Sequence, residues 1–224
     1  AAFAEVGSFI DRHFANTPID TEAQLHQGLE KLVETVQLYN NWFIPNFVNE
    51  AVRSIGSYLN STSLTQFSAE IKEREPKTIA LISAGNIPMV GFHDILCVLL
   101  SGNKALIKLS GDDNLLLPFF LKLLVHYQPE FEQQIFFADG RLSGFDAIIA
   151  TGSNNTASHL HYYFGKYPHI IRRSRTSLAV LEGNETQEEL ALLGKDIFQY
   201  FGLGCRNVSK LLVPEDYKFD RLFE

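Results

Sequence analysis

The sequence predicts an α/β protein built on a parallel β-sheet, and three observations support this prediction. From about residue 77 onward, short apolar runs alternate with helix-length segments, which is the pattern of repeated β-α-β units. The runs are continuously apolar, as in strands that are buried on both faces of a sheet. Of the 224 residues, 46% are hydrophobic and 20% are charged, a composition typical of a globular protein with a sizeable core.

Six apolar runs are predicted strands, at 78–84, 105–109, 135–138, 146–150, 177–181 and 209–213. Helices are predicted between them, at 89–100, 114–127, 156–165 and 186–201. The preceding residues form a helical segment at 1–76, with an amphipathic repeat through Leu25, Leu29, Leu32, Val33 and Val36. Further helices are expected there at 46–59, ended by the polar cluster at 60–63, and at 64–74, ended by Pro76.

Charge and cysteine content disfavour several classes of protein. The chain has 19 Lys and Arg against 26 Asp and Glu, a net charge of −7, so binding to nucleic acid or to an anionic membrane is not expected. No apolar run approaches the ~18 residues of a membrane span, and Cys97 and Cys205 alone cannot form a disulfide framework. We therefore expect a cytoplasmic protein without stable membrane insertion. The chain has no initiator Met, and we expect it to be part of a longer polypeptide.

Glycine-containing or small polar turns follow three of the predicted strands. They are Gly85-Asn86, Ser110-Gly111 and Thr151-Gly152-Ser153. Because ligands of open α/β sheets bind at the carboxyl ends of the strands, three such turns predict a phosphate-bearing ligand, although every strand-to-helix connection needs a turn. The usual Gly-x-Gly-x-x-Gly fingerprint is absent, since the Gly-x-Gly at 202–204 follows a helix and has Asn207 in the third glycine position.

Three side chains are candidates for chemistry. Cys205 follows two glycines that leave backbone N–H groups open, and Arg206 favours its thiolate; the alternative is a buried Cys that packs at a helix end. The Asn86 amide can donate to a developing oxyanion, or it is simply a turn residue. Lys108 lies near the carboxyl end of an otherwise apolar strand, where an ammonium group is uncommon unless it reaches a ligand or a carboxylate. Cys97 lies on an apolar helix and is expected in the core.

Two other groups of residues give weaker signals. His159, His161 and His169 do not predict a metal site, because the first two are two residues apart and point to different faces of a helix. The basic stretch at 172–175, Arg-Arg-Ser-Arg, fits either a phosphate-binding group or a solvated face.

Four segments, taken in order, resemble the aldehyde dehydrogenase superfamily and, within it, the LuxC-type acyl-CoA reductases. SAGNIPMVG is similar to the loop with the oxyanion Asn, here Asn86, and GNKALIKLS to the strand with the cofactor-ribose Lys, here Lys108. ATGSNNTA is similar to the turn that meets the cofactor pyrophosphate, here Gly152 and Ser153. FGLGCRNVSKLLVP is similar to the nucleophile segment, here with Cys205. The resemblance covers residues 77–214, and this superfamily also lacks the Gly-x-Gly-x-x-Gly turn.

The resemblance implies an aldehyde dehydrogenase-like fold, with a Rossmann-like dinucleotide-binding domain at 77–175 and the start of a catalytic domain at 176–224. It implies reduction of a long-chain acyl-CoA by NADP(H) through an acyl-cysteine, with Cys205 as nucleophile and Asn86 as oxyanion donor. The implied cofactor-binding residues are Lys108, Ser110, Gly111, Gly152 and Ser153. It further implies a homo-oligomer, formed through a C-terminal part that this chain does not contain.

Two departures from the family pattern bear on reaction direction and cofactor. Oxidising relatives have a Glu general base, whereas the corresponding region here, Ile170–Arg172, has no carboxylate; this favours reduction, because CoA thiolate leaves without an activated water. NAD-dependent relatives often have a Glu three residues after the Lys, where this chain has Gly111, so NADP(H) is favoured over NAD(H). The alternatives are an aldehyde dehydrogenase in the oxidative direction and a non-catalytic nucleotide- or acyl-binding module.

Overall fold

A computed structural model describes residues 1–72 and 74–223 and shows two compact units. The first unit is Ala1–Arg173 and the second unit is Ser174–Glu224. Each unit contains its own parallel sheet, of five and two strands respectively. None of the described helices combines the length and apolar character that a membrane span requires.

The N-terminal part of the first unit is helical, as predicted. Its α-helices are α1 (Ala2–Ala15), α2 (Ala23–Thr35), α3 (Pro45–Tyr58) and α4 (Ser61–Ser68). The predicted helix at 64–74 starts earlier, at Ser61, because the polar cluster at 60–63 begins a helix as well as ending one, and it already ends at Ser68. Residue 73 of the predicted span lies outside the described residues. The Asn60 side chain accepts the Ser63 N–H at 2.9 Å, which is an N-cap for α4.

The sheet of the first unit consists of five parallel strands in the order β3-β2-β1-β4-β5. They are β1 (Thr78–Ile82), β2 (Lys104–Lys108), β3 (Ile135–Phe137), β4 (Ala147–Thr151) and β5 (His169–Arg172). The first four coincide with predicted apolar runs, which confirms the parallel sheet. Strand β5 was not predicted, because its two apolar residues are too few to form a pattern in the sequence. Ile170 on this strand is 53% exposed.

Three helices follow strands of this sheet, namely α5 (Phe92–Leu100), α6 (Leu116–Tyr127) and α7 (Asn154–Phe164). Helices α5 and α6 share one hydrophobic core with the N-terminal helices and with strands β1 and β2, and Phe9, Leu29, Ile107 and Phe120 are fully buried in it. The N-terminal helices therefore hold part of the sheet and its helices in place by apolar burial.

The second unit contains β6 (Ser177–Val180), α8 (Gln187–Phe198), β7 (Val208–Leu212) and α9 (Asp220–Phe223). Strands β6 and β7 pair in parallel. Helix α8 begins with a capping box, in which Thr186 accepts the Glu189 N–H and the Glu189 side chain accepts the Thr186 N–H. The predicted helix at 186–201 ends three residues early, at Phe198, because Tyr200 and Phe201 have positive φ and cannot continue a right-handed helix.

A polar cluster centred on Glu22 joins the N-terminal helices to α6. Glu22 is only 3% exposed, and its carboxylate accepts hydrogen bonds from the Arg12 guanidinium at 2.9 and 2.6 Å and from the Tyr127 hydroxyl. Burial opposes ionisation of Glu22, but the hydrogen bonds from Arg12 and Tyr127 outweigh it and lower the carboxyl pKa. The cluster is therefore most stabilising when Glu22 is ionised.

Replacing Glu22 with Gln is expected to lower the free energy of unfolding at pH 7 by about 2 kcal/mol, because Arg12 loses a carboxylate partner. Since the folded-state pKa lies below the ordinary value of 4.5, this contribution is present above that pH and is lost as the pH falls through the folded pKa. Urea unfolding at pH 7 and pH 3 measures the change. The control Glu34→Gln, at an exposed position of α2, should leave both curves unchanged; an undiminished Glu22 effect at pH 3 would contradict the assignment.

Candidate functional site

The carboxyl ends of the strands in the first unit bring most of the candidate residues to one edge. Ile82 of β1 is in register with Lys108 of β2 and with Ala150 of β4. The chain proceeds from β1 to β2 and β3 on one side of the sheet, then continues with β4 and β5 on the other. The reversal of strand order lies between β1 and β4, which is where ligands of doubly wound sheets bind.

The loops that follow β1 and β2 are in direct contact. A Cβ atom on Gly85 would lie 2.7 Å from the Cβ atom of Ser110, so glycine is needed at position 85 for this approach. Asn86, the next residue, is exposed. The contact between Gly85 and Ser110 therefore restricts the backbone position of the neighbouring Asn86.

The β1–α5 loop ends in a left-handed turn at the position where the helix at 89–100 was predicted to start. Met89 has φ +56, a conformation disfavoured for a residue with a side chain, and α5 begins only at Phe92. The Met89 N–H donates to Asp113 Oδ2 at 2.7 Å. This hydrogen bond and the turn explain why the predicted helix at 89–100 starts three residues late.

Asp113 is a residue whose importance the sequence did not indicate. It is 1% exposed, and burial raises its pKa to about 6, against the lowering effect of the Met89, Leu117 and Leu116 N–H groups. Among the described residues, its second oxygen, Oδ1, has no hydrogen-bond partner of ordinary geometry. The only signal in the sequence was a polar residue just before an apolar helix, which is ordinary for a helix start.

Lys108 and Gly111 mark an open region at the end of β2. The Lys108 side chain is exposed, and its Nζ donates to the Gly140 carbonyl in the loop after β3 at 2.8 Å. No carboxylate in the described part of the chain forms an ion pair with Lys108. A Cβ atom on Gly111 would meet nothing within 4 Å. The region at the end of β2 therefore combines the ammonium group of Lys108 with open space at Gly111.

Gly152 and Ser153 form the turn between β4 and α7. Ser153 is the N-cap of α7, and its Oγ accepts the Thr156 N–H at 3.1 Å. A Cβ atom on Gly152 would lie 2.7 Å from Thr156 Cγ2, so the tight turn requires glycine. The first turn of α7 keeps further N–H groups that do not bond within the helix, which is the arrangement that binds phosphate in nucleotide sites.

Cys205 lies in the second unit, on the loop between α8 and β7. Its side chain is exposed, so the interpretation as a buried packing residue is wrong. Near its start, after Gln199, the loop has three consecutive residues of positive φ, Tyr200, Phe201 and Gly202. No backbone hydrogen bond engages the Cys205 N–H within the described residues, as an oxyanion donor requires.

Asn207 holds the Cys205 loop in shape and was not recognised as important in the sequence. Its Nδ2 donates to the carbonyls of Asp196 at 2.8 Å and Gln199 at 3.0 Å, at the end of α8. Its Oδ1 accepts the Gly204 N–H at 2.7 Å. The expectation that the Gly204 N–H is open is therefore wrong, because this internal hydrogen bond uses it.

The remaining candidates lie elsewhere in the first unit. Cys97 is half-buried instead of fully in the core, with its Sγ 3.6 Å from His93 Nδ1, and burial raises its pKa. Within residues 1–72 and 74–223, no group of three His, Cys, Asp or Glu side chains is arranged to hold a metal ion. In the basic stretch, Arg172 forms an ion pair with Asp94 at 2.6 Å, and Arg173 is exposed.

Comparison with solved structures defines the class of fold. The candidate aldehyde dehydrogenase PutA from Anabaena variabilis matches with TM-score 0.66 and 17% identity, over 99% of this chain and 53% of its own. Glyceraldehyde-3-phosphate dehydrogenase GapN from Methanocaldococcus jannaschii, complexed with NADP, matches with TM-score 0.62 and 15% identity over 96% and 54%. Aldehyde dehydrogenase C from Pseudomonas syringae, complexed with NAD⁺ and octanal, matches with TM-score 0.59 and 15% identity over 96% and 47%. The chain has the aldehyde dehydrogenase fold and spans about half the length of these structures.

Comparison with family models identifies the family. The model of the acyl-CoA reductase family LuxC matches residues 9–220. The chain therefore belongs to the LuxC acyl-CoA reductase family. No curated protein sequence matches it.

The two cysteines are expected to differ in reactivity towards iodoacetamide. Cys205 is exposed, whereas Cys97 is half-buried and burial raises its pKa, so Cys205 should be alkylated at least about tenfold faster at pH 7.5. Peptide mass spectrometry over time measures both rates. Cys205→Ser should remove the fast phase and Cys97→Ser the slow one; equal rates at the two positions would contradict this assignment.

Proposed function

We propose that the protein carrying this chain reduces a long-chain acyl-CoA to the aldehyde through an acyl-cysteine at Cys205. The observation that carries the proposal is the exposed Cys205 on a loop of strained backbone, in a chain of the LuxC acyl-CoA reductase family. Strained loops of this kind are concentrated at functional sites. An exposed thiol whose own backbone N–H has no hydrogen-bond partner in the described part of the chain has what a nucleophile for acyl transfer needs.

In the proposed mechanism, the Cys205 thiolate attacks the thioester carbon of the acyl-CoA and forms a C–S bond. By resemblance to the family, the Asn86 amide and the Cys205 N–H would be the donors to the oxygen that becomes negatively charged. When the tetrahedral adduct collapses, the bond to CoA breaks, CoA leaves as its thiolate and takes up a proton, and Cys205 carries the acyl group. A nicotinamide cofactor held at the carboxyl edge of the first sheet would supply the hydride that this acyl carbon accepts. The C–S bond to Cys205 then breaks, which releases the aldehyde and restores the thiolate.

The carboxyl edge of the first sheet fits a dinucleotide of the NAD(P) type. The first turn of α7, after Gly152 and Ser153, would hold the pyrophosphate through backbone N–H groups. The Lys108 ammonium would hold the ribose hydroxyls, in place of its present bond to the Gly140 carbonyl. Ser110 and Gly111 would border the ribose, and the free space at Gly111 favours the 2′-phosphate of NADP(H).

The residues of β5 support the reductive direction. Hydrolysis of an acyl-cysteine requires a base that activates water, and by resemblance that base corresponds to the region of Ile170–Arg172. Strand β5 carries no carboxylate, and Arg172 is ion-paired with Asp94. Reduction needs no such base, because the acyl group is removed as aldehyde after hydride addition.

Mass spectrometry of the complete natural protein, mixed with a long-chain acyl-CoA and no cofactor, tests the proposal. We expect a mass gain of one acyl group on Cys205 that is discharged to aldehyde when NADPH is added. Cys205→Ala should show no adduct, and the control Cys97→Ala should behave like the natural protein.

The alternatives give different results in the same experiment. A non-catalytic binding module forms no adduct at any chain length, and an adduct discharged to free acid by water indicates the oxidative enzyme. Either outcome would overturn the reductase proposal.

The preference for NADP(H) is tested by Gly111→Glu. A carboxylate beside the 2′-phosphate should raise the KM for NADPH at least about tenfold, or about 1.4 kcal/mol, and leave the KM for NADH nearly unchanged. The matched control is Gln133→Glu, which adds the same charge at an exposed position next to the amino end of β3. Parallel changes in both KM values would count against the assignment of Gly111 to the 2′-phosphate.

A further inference from the structure

Asp113 is a buried carboxyl surrounded by hydrogen-bond donors. Its Oδ2 accepts the Met89 N–H at 2.7 Å, and the Leu116 and Leu117 N–H groups at the start of α6 also favour its charged form. Its Oδ1 is buried without a partner of ordinary geometry in the described residues. Burial of a carboxyl group is costly, and the hydrogen bond from the Met89 N–H offsets part of that cost.

The Met89 N–H is the point at which Asp113 acts on the neighbouring loop. Met89 is 3% exposed and has φ +56, so its backbone adopts an unfavourable conformation inside the protein. The charge-assisted hydrogen bond to Asp113 stabilises this conformation. The Met89 carbonyl in turn accepts the Phe92 N–H at 3.0 Å, which starts α5.

Asn86 lies between the two points where this loop is held. On one side, Gly85 packs against Ser110, in the loop after β2. On the other side, Met89 is bound to Asp113, three residues further along that same loop. The backbone position of Asn86 therefore depends on the loop after β2, although Asn86 follows β1.

We propose that Asp113 is a positioning residue, whose carboxylate holds the left-handed turn at Met89 and thereby places the Asn86 amide for catalysis. This inference rests on the proposed function for the role of Asn86. Asp113 itself touches neither substrate nor cofactor in this proposal.

The test is the rate of Cys205 acylation by a long-chain acyl-CoA in the complete natural protein. Asn86→Ala is expected to slow acylation about 100-fold, as loss of one oxyanion donor does. Asp113→Asn is expected to slow it about tenfold, because an NH₂ group replaces one oxygen and then faces backbone N–H donors. If Asp113 acts through Asn86, the double variant is about 100-fold slower, like Asn86→Ala alone; independent effects would multiply to about 1,000-fold.

Two further variants separate positioning from loss of stability. Leu123→Ala removes a side chain from the core at α6, where Leu123 is 1% exposed, and should leave the acylation rate of the folded protein within about threefold. Asp113→Ala removes the acceptor entirely and should slow acylation more than Asp113→Asn. If Asp113→Ala does not fold, the acylation rates of Asp113→Asn, Asn86→Ala and their double variant still test whether Asp113 acts through Asn86.

The outcomes distinguish this inference from the proposed function. An unchanged rate in Asn86→Ala removes the oxyanion role of Asn86, and the inference falls with it. If Cys205 acylation is slow in Asn86→Ala but normal in Asp113→Asn, the proposed function stands and only the positioning role of Asp113 is overturned. Multiplicative effects in the double variant, or slowing by Leu123→Ala equal to that by Asp113→Asn, would also overturn it.

Discussion

The parallel pairing of β1 with β2 on one side and with β4 on the other is the constraint on which the first unit depends. Ile82 at the end of β1 is in register with both Lys108 and Ala150, so the three following loops leave the sheet at one edge. Residues that are far apart in sequence, such as Asn86 and Ser153, reach that edge for this reason alone. The core shared with the N-terminal helices keeps the edge fixed, because helices α5 and α6 pack against both.

The loops at this edge are held by tertiary contacts more than by their own conformational preferences. Gly85 makes room for Ser110, and the left-handed turn at Met89 persists because Asp113 binds its N–H. A polar side chain from one loop thus stabilises a strained backbone in the next. Under the proposed function, this arrangement gives the oxyanion donor a defined position.

The second unit uses a neutral side chain for the same purpose. Asn207 bonds the last carbonyls of α8 through its Nδ2 and the Gly204 N–H through its Oδ1. An amide suits this place because the loop presents both donors and acceptors, whereas Asp113 faces donors only. In both units, a buried polar side chain beside the loop shapes the backbone that carries the candidate residue.

By itself, the sequence determined the parallel α/β class, four strands of the main sheet, both strands of the smaller one and the segments that resemble the LuxC family. These features depend on local signals, namely continuous apolar runs and short motifs. It did not reveal β5, whose two apolar residues are too few to form a pattern, or the start of α4, where a cap resembled a helix stop. Nor did it reveal the partners of Met89 and Gly204. Those were decided only by the tertiary structure, because a hydrogen bond between residues 24 positions apart, such as Met89 and Asp113, leaves no periodic signal in the chain.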